Sequence, residues 1–62
     1  MCELKVVLVS EGTKSVVMES VTRMIVDGDS IHLNGLLGDR EVVKGSIKEI
    51  DFGTGEAIII QG

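Results

Sequence analysis

Cys2 is the only cysteine in the chain and sits one residue from the amino terminus. A thiol so placed can close a tight chelate ring with a neighbouring nitrogen around a metal that accepts mixed nitrogen and sulfur donors. Two forms are open. With Met1 retained, the donors are the Met1 amine, the Cys2 amide nitrogen and the Cys2 thiolate. With the initiator methionine removed, Cys2 offers its own amine and thiolate, and two such pairs from two subunits make a four-coordinate N2S2 site. Adjacent five-ring donors favour a planar fan, which suits square-planar nickel or copper(II) better than tetrahedral zinc. Two other readings of the same thiol stand beside this one. It is a buried structural cysteine, against which stands the tendency of chain ends to stay unpacked, or a catalytic nucleophile.

His32, the only histidine, falls on the outward face of a strand. It reads as a solvated imidazole or as an auxiliary metal ligand, the second requiring proximity to Cys2. Asp27, Asp29, Asp39 and Glu41 lack the ligand run and distant bidentate glutamate of a calcium loop, and turn chemistry accounts for the first two. Gly53-Thr54-Gly55-Glu56 is a hairpin tip, since no helix or Lys-Ser/Thr follows it. No Ser-His-Asp order is present, and a lone histidine without a nearby acid is a poor basis for hydrolysis. The chain is read as a non-enzyme.

These residues must be held by a scaffold of 62 residues, which makes one domain spanning 1–62. A chain of this size buries only about 60% of its unfolded surface. Such cores are reinforced by disulfides, a structural metal or oligomerisation. One cysteine and one histidine exclude an internal disulfide and a closed zinc site, so a homodimer is expected. Six basic against ten acidic residues leave a net charge of −4, which repels phosphate backbones. Phe52 is the sole aromatic, whereas single strands are held by stacking on several rings. The expected partners therefore include no nucleic acid. No apolar run approaches the roughly 18 residues of a membrane span, and no signal segment is apparent. A cytoplasmic protein with a reduced thiol and no membrane contact is expected.

Residues 3–9 are rich in β-branched side chains and alternate Leu4, Val6 and Leu8 onto one strand face, the other turning apolar at Val7 and Val9. Residues 10–14 form a hairpin turn, 15–18 the returning strand, 19–22 a bend, and 23–26 its continuation. Asp27-Gly28 is the strongest two-residue turn signal. Residues 30–37 alternate next, with Ile31, Leu33 and Leu37 inward and His32 and Asn34 outward. Gly35 marks a bulge or a close backbone approach. After a turn at 38–40 comes a strand with Gly45 at a sharp corner, in which Ile47 to Ile50 also fit one helical turn. A hairpin at 53–55 leads to the last strand, 56–61, whose Ile58, Ile59 and Ile60 imply burial on both faces, one covered by a second subunit. The fold class is all-β: a small SH3-like or OB-like barrel of five to six short antiparallel strands, closed or nearly so to hide its edges.

Taken together, the Met1-Cys2 start, the strand Lys5-Val6-Val7-Leu8, the run Val21-Thr22-Arg23-Met24, the Asp27-Gly28 hairpin and Leu36-Leu37-Gly38 resemble the CooT-type small nickel-binding proteins over essentially the full length. The Met-Cys start is the most specific of these features. The resemblance implies a small β-barrel homodimer that binds Ni(II) through Cys2 and delivers or stores it for carbon monoxide dehydrogenase. His32 matches no motif of that family. The HypC-type maturation chaperones also begin Met-Cys and hold an iron fragment against a partner enzyme, but usually carry a proline soon after the cysteine, and this chain has none. A small β-barrel RNA-binding regulator would need a basic edge, and the six cations are scattered along the chain.

Overall fold

The computed structural model describes residues 3–62; Met1 and Cys2 lie outside the described residues. Six strands follow one another: β1 (Leu4–Ser10), β2 (Thr13–Asp27), β3 (Ser30–Gly35), β4 (Arg40–Lys44), β5 (Ser46–Asp51) and β6 (Glu56–Gln61). They form one sheet in the order β4-β3-β2-β1-β6-β5. Among the described residues no helix is long and apolar enough to cross a membrane. The segment around Ile47, with its two readings from sequence, is strand, with an irregularity in pairing between Ile47 and Glu49.

Turn chemistry explains the local connections. Ser10 pairs with Thr13, leaving Glu11 and Gly12 as a two-residue loop with φ of 53° and 76°, the pattern of a type I′ turn. At the next hairpin Asp27 pairs with Ser30, so the loop is Gly28-Asp29, one residue later than the Asp27-Gly28 expected. Gly28, at φ 62°, takes the first loop position, which a type II′ turn reserves for glycine.

Two features depart from the expected antiparallel barrel. The β1–β6 pair is parallel, and β4 and β5 are the two edges of an open sheet. These edges are nevertheless joined by Gly45 alone. In a flat sheet five strand spacings would hold them about 24 Å apart, whereas two peptide units span at most about 7 Å. The sheet must therefore roll until its edges meet at this corner. Gly45 has φ 148°, and a Cβ there would lie 2.5 Å from the Ile60 carbonyl oxygen and 2.9 Å from Ile59 Cγ2. The corner is pinned by Gly45 N–H donating to the Asp29 carbonyl (2.9 Å) and by Gln61 Nε2 donating to the Lys44 carbonyl (3.1 Å). No ladder joins β4 to β5, so the roll stops short of closure.

The concave side of this roll holds the core: Val6, Met18, Val21, Ile31, Leu33, Ala57 and Ile59. Long β2 serves two neighbours, pairing with β1 through its first half and β3 through its second. It bends where expected, at Ser20 with φ 57°, and the pairing slips on both sides of that bend. Ile31 and Leu33 point inward as their alternation requires, but Leu37 is 91% exposed. Strand β3 ends at Gly35, whose N–H turns to the Asp39 carbonyl (2.8 Å), so strand parity does not reach residue 37. In the final strand Ile59 is fully buried, while Ile60, on the opposite face, is 40% exposed in the single chain.

Candidate functional site

Glu3, the first described residue, is exposed and covalently joined to Cys2. Behind it, β1 is held on both sides, by β2 and by β6. Leu4 lies opposite Val21 and packs against the core. Lys5 N–H donates to the Gly55 carbonyl at 2.8 Å, and Lys5 Nζ lies 3.6 Å from Glu56 Oε2. That ion pair is about 40% exposed on both sides and contributes at most about 1 kcal/mol. It does orient the start of β1 against the start of β6.

The β5–β6 turn beside it is built by Asp51. Its Oδ1 accepts from the N–H of Gly53 (2.8 Å) and of Thr54 (3.2 Å), and its carbonyl accepts from Gly55 N–H (2.8 Å). This Asx-type turn raises Phe52, 70% exposed, beside a shallow groove of about 260 Å³ lined by Leu4, Val21, Met24, Ile50 and Phe52, with Thr22 and Arg23 also on its wall. The amino-terminal end of β1 is thus a rigid strand end, with the carboxylates of Glu3, Glu56 and Asp51 and an apolar groove on neighbouring elements. Sequence reading missed Phe52 and Met24 as parts of this end, because only strand order brings β2 and the β5–β6 turn to Leu4.

Of the metal ligands expected from sequence, Cys2 and Met1 lie outside the described residues, and His32 lies elsewhere on the sheet. His32 is half-buried on β3 between Ile25 of β2 and Val42 of β4. Its neighbours Ile31 and Leu33 face the core, so the imidazole occupies the outer face. Leu4 faces the core from two strands away. Among the described residues no three His, Cys, Asp or Glu side chains are grouped to hold a metal. Asp29 lies 3.6 Å from Lys44 Nζ, and the Asp39 carboxylate stands over Gly35.

The cations scattered in sequence are not all scattered in space. Arg23 pairs in register with Asn34, and Asn34 with Arg40, so both arginines stand in one cross-strand row on the outer face. They are far apart in the chain, and the unbroken register from the Asp27–Ser30 hairpin to Arg23–Asn34, continued by Asn34–Arg40 across β3 and β4, aligns them.

A family model described as CO dehydrogenase accessory protein CooT matches residues 1–60, a span that includes Met1 and Cys2. An uncharacterised protein of Archaeoglobus fulgidus is 38% identical over 45 residues, covering 73% of this chain and 98% of the relative. The crystal structure of a protein assigned as CooT from Carboxydothermus hydrogenoformans superposes with a TM-score of 0.88 at 21% identity, covering 98% of each chain. At that identity the likeness is one of fold. The chain belongs to the CooT family of CO dehydrogenase accessory proteins.

Proposed function

We propose that this chain binds Ni(II) as cargo and delivers or stores it during maturation of carbon monoxide dehydrogenase, acting as a metallochaperone and not as an enzyme. The observation that carries the reading is the CooT family match across residues 1–60, on a chain whose single cysteine is residue 2. Nickel is held by the Cys2 thiolate together with the Met1 amine and Cys2 amide nitrogen, or, after removal of Met1, by the amine and thiolate of Cys2 from two copies. His32 is the auxiliary donor suggested by sequence. Its position on the outer face, two strands from Leu4, favours at most a minor part for it.

The working form is a cytoplasmic homodimer without affinity for nucleic acid or membrane. Support for the dimer comes from apolar side chains that the single chain leaves uncovered, among them Leu37 (91% exposed), Phe52 (70%), Val26 (61%) and Val16 (54%). Covering these side chains with a second copy would remove their apolar surface from water. The accessory role is tested by incubating nickel-free carbon monoxide dehydrogenase with nickel-loaded protein. The expected result is faster activation than with free nickel at the same total concentration, lost in Cys2→Ser. Equal activation by free nickel and by loaded protein would remove the delivery role.

A further inference from the structure

We infer that the outer face of β2, β3 and β4 carries a binding site for a small oxyanion, a carboxylate or phosphate group clamped between Arg23 and Arg40. The row Arg23-Asn34-Arg40 and the adjacent row Ile25-His32-Val42 follow from strand register. Residues directly opposed across a ladder project to the same side. Arg23, Asn34, Arg40 and His32 accordingly line one groove of about 440 Å³. The two arginine Cα atoms stand two strand spacings apart, about 10 Å, and a guanidinium on a three-carbon stem reaches half that distance from each side. Their planar forks suit two-pronged hydrogen bonding to carboxylate or phosphate oxygens. Asn34 between them adds an amide donor, and His32 a ring N–H.

Neither arginine is held by an ion pair among the described residues, where the pairs are Lys5–Glu56 and Lys44–Asp29; Arg23 also borders the groove beside Phe52. Glu41 also lines the groove; it opposes the inward-facing Leu33, so its side chain leaves β4 on the opposite side from those of Arg40 and Val42, and it forms no ion pair with either arginine among the described residues. The irregularity in pairing between Val21 and Arg23 adds a polar side chain to the rim, since Thr22 Oγ1 lies 3.4 Å from the Asn34 carbonyl, to which it donates. Such slips in strands are a recurrent means of re-aiming side chains at a site. In a chain of net charge −4, a local pair of arginines selects a compact anion and not an extended polyanion, whose remaining charges would meet an acidic surface.

The test is a titration of the full chain, uniformly labelled with nitrogen-15, with inorganic phosphate and separately with citrate, at constant ionic strength. The side-chain amide of Asn34 and the ring of His32 are followed by NMR. Saturable shifts at both are expected with at least one anion, and the tighter of the two identifies phosphate or carboxylate as the ligand chemistry. Arg23→Gln and Arg40→Gln should each weaken binding by about tenfold or more, the loss expected for one charge-assisted contact. Lys48→Gln, on β5, should change nothing. Arg40→Lys keeps the charge but not the fork, and should fall between wild type and Arg40→Gln. Shifts that rise linearly without saturation for both anions would overturn the site, as would affinities unchanged in either arginine variant.

Discussion

Replacing Gly45 by alanine should cost this protein a large part of its stability, and the structure supplies the reason. At φ 148° the backbone occupies a region that L side chains rarely adopt, and the new methyl would meet the Ile60 carbonyl oxygen at 2.5 Å. The backbone conformation costs about 1–3 kcal/mol. Displacing β6 backbone, which is locked between β1 and β5, adds about 1–3 kcal/mol for an overpacked site. A domain of 62 residues has about 3–9 kcal/mol to lose, so a central loss of about 4 kcal/mol lowers Tm by roughly 16–32 °C. Gly12→Ala is the matched control. Gly12 also has positive φ, at 76°, but a Cβ there meets nothing within 4 Å, so only the cost of backbone strain, about 1 kcal/mol, is expected. Thermal and urea unfolding of both variants by far-ultraviolet circular dichroism, at one protein concentration, measures the difference. Equal destabilisation by the two substitutions would refute the rolled corner, because the clash with β6 exists only if β4 and β5 converge there.

Ile59→Ala should cost about 2–5 kcal/mol in urea unfolding, as a fully buried isoleucine, while Ile60→Ala, at a side chain 40% exposed, should cost under about 1 kcal/mol in the monomer. A similar loss at both sites would indicate that a second copy covers Ile60. Sedimentation equilibrium at micromolar concentration should report twice the chain mass of 6.6 kDa, and a stable monomer would contradict the homodimer. In gel-shift assays at physiological salt no appreciable RNA or DNA binding is expected, given the net charge of −4 and a single aromatic; submicromolar, salt-sensitive binding would restore the regulator reading.

Much of the fold is legible in the chain because period-two alternation and turn residues act locally. Ile31 and Leu33 are inward for that reason, and the corner at Gly45 is announced by a glycine inside an otherwise continuous strand pattern. Strand order is not local. Nothing in the residues of β1 and β6 says that they pair in parallel, so the open order of the sheet emerges only with the structure. The displaced hairpin has a physical cause of the same kind: an Asp-Gly-Asp tip offers glycine to either loop position, and the register of Ile25 against His32 decides between them. Leu37 shows where alternation fails, once the chain leaves the ladder at Gly35. For the site, the chemistry of Cys2 is readable from residue type and position, whereas Arg23 and Arg40 come together only through pairing across β3.

Nickel affinity of the untagged chain, compared with Cys2→Ala and with a form extended ahead of Met1, tests the central claim most directly. Titration should show a thiolate-to-nickel charge-transfer band and a planar, diamagnetic ion in the untagged protein, with mass spectrometry reporting whether Met1 is present. Thiol and amine donors, ordinarily near pKa ~8.5 and ~7.7–8.0, must both lose protons, so affinity should fall below neutral pH as binding releases them. Cys2→Ala should abolish tight binding, the extension should weaken it although the thiol remains, and His32→Ala should have little effect. Equal affinity in tagged and untagged protein would contradict the amine chelate, and undiminished affinity in Cys2→Ala would contradict the nickel site itself.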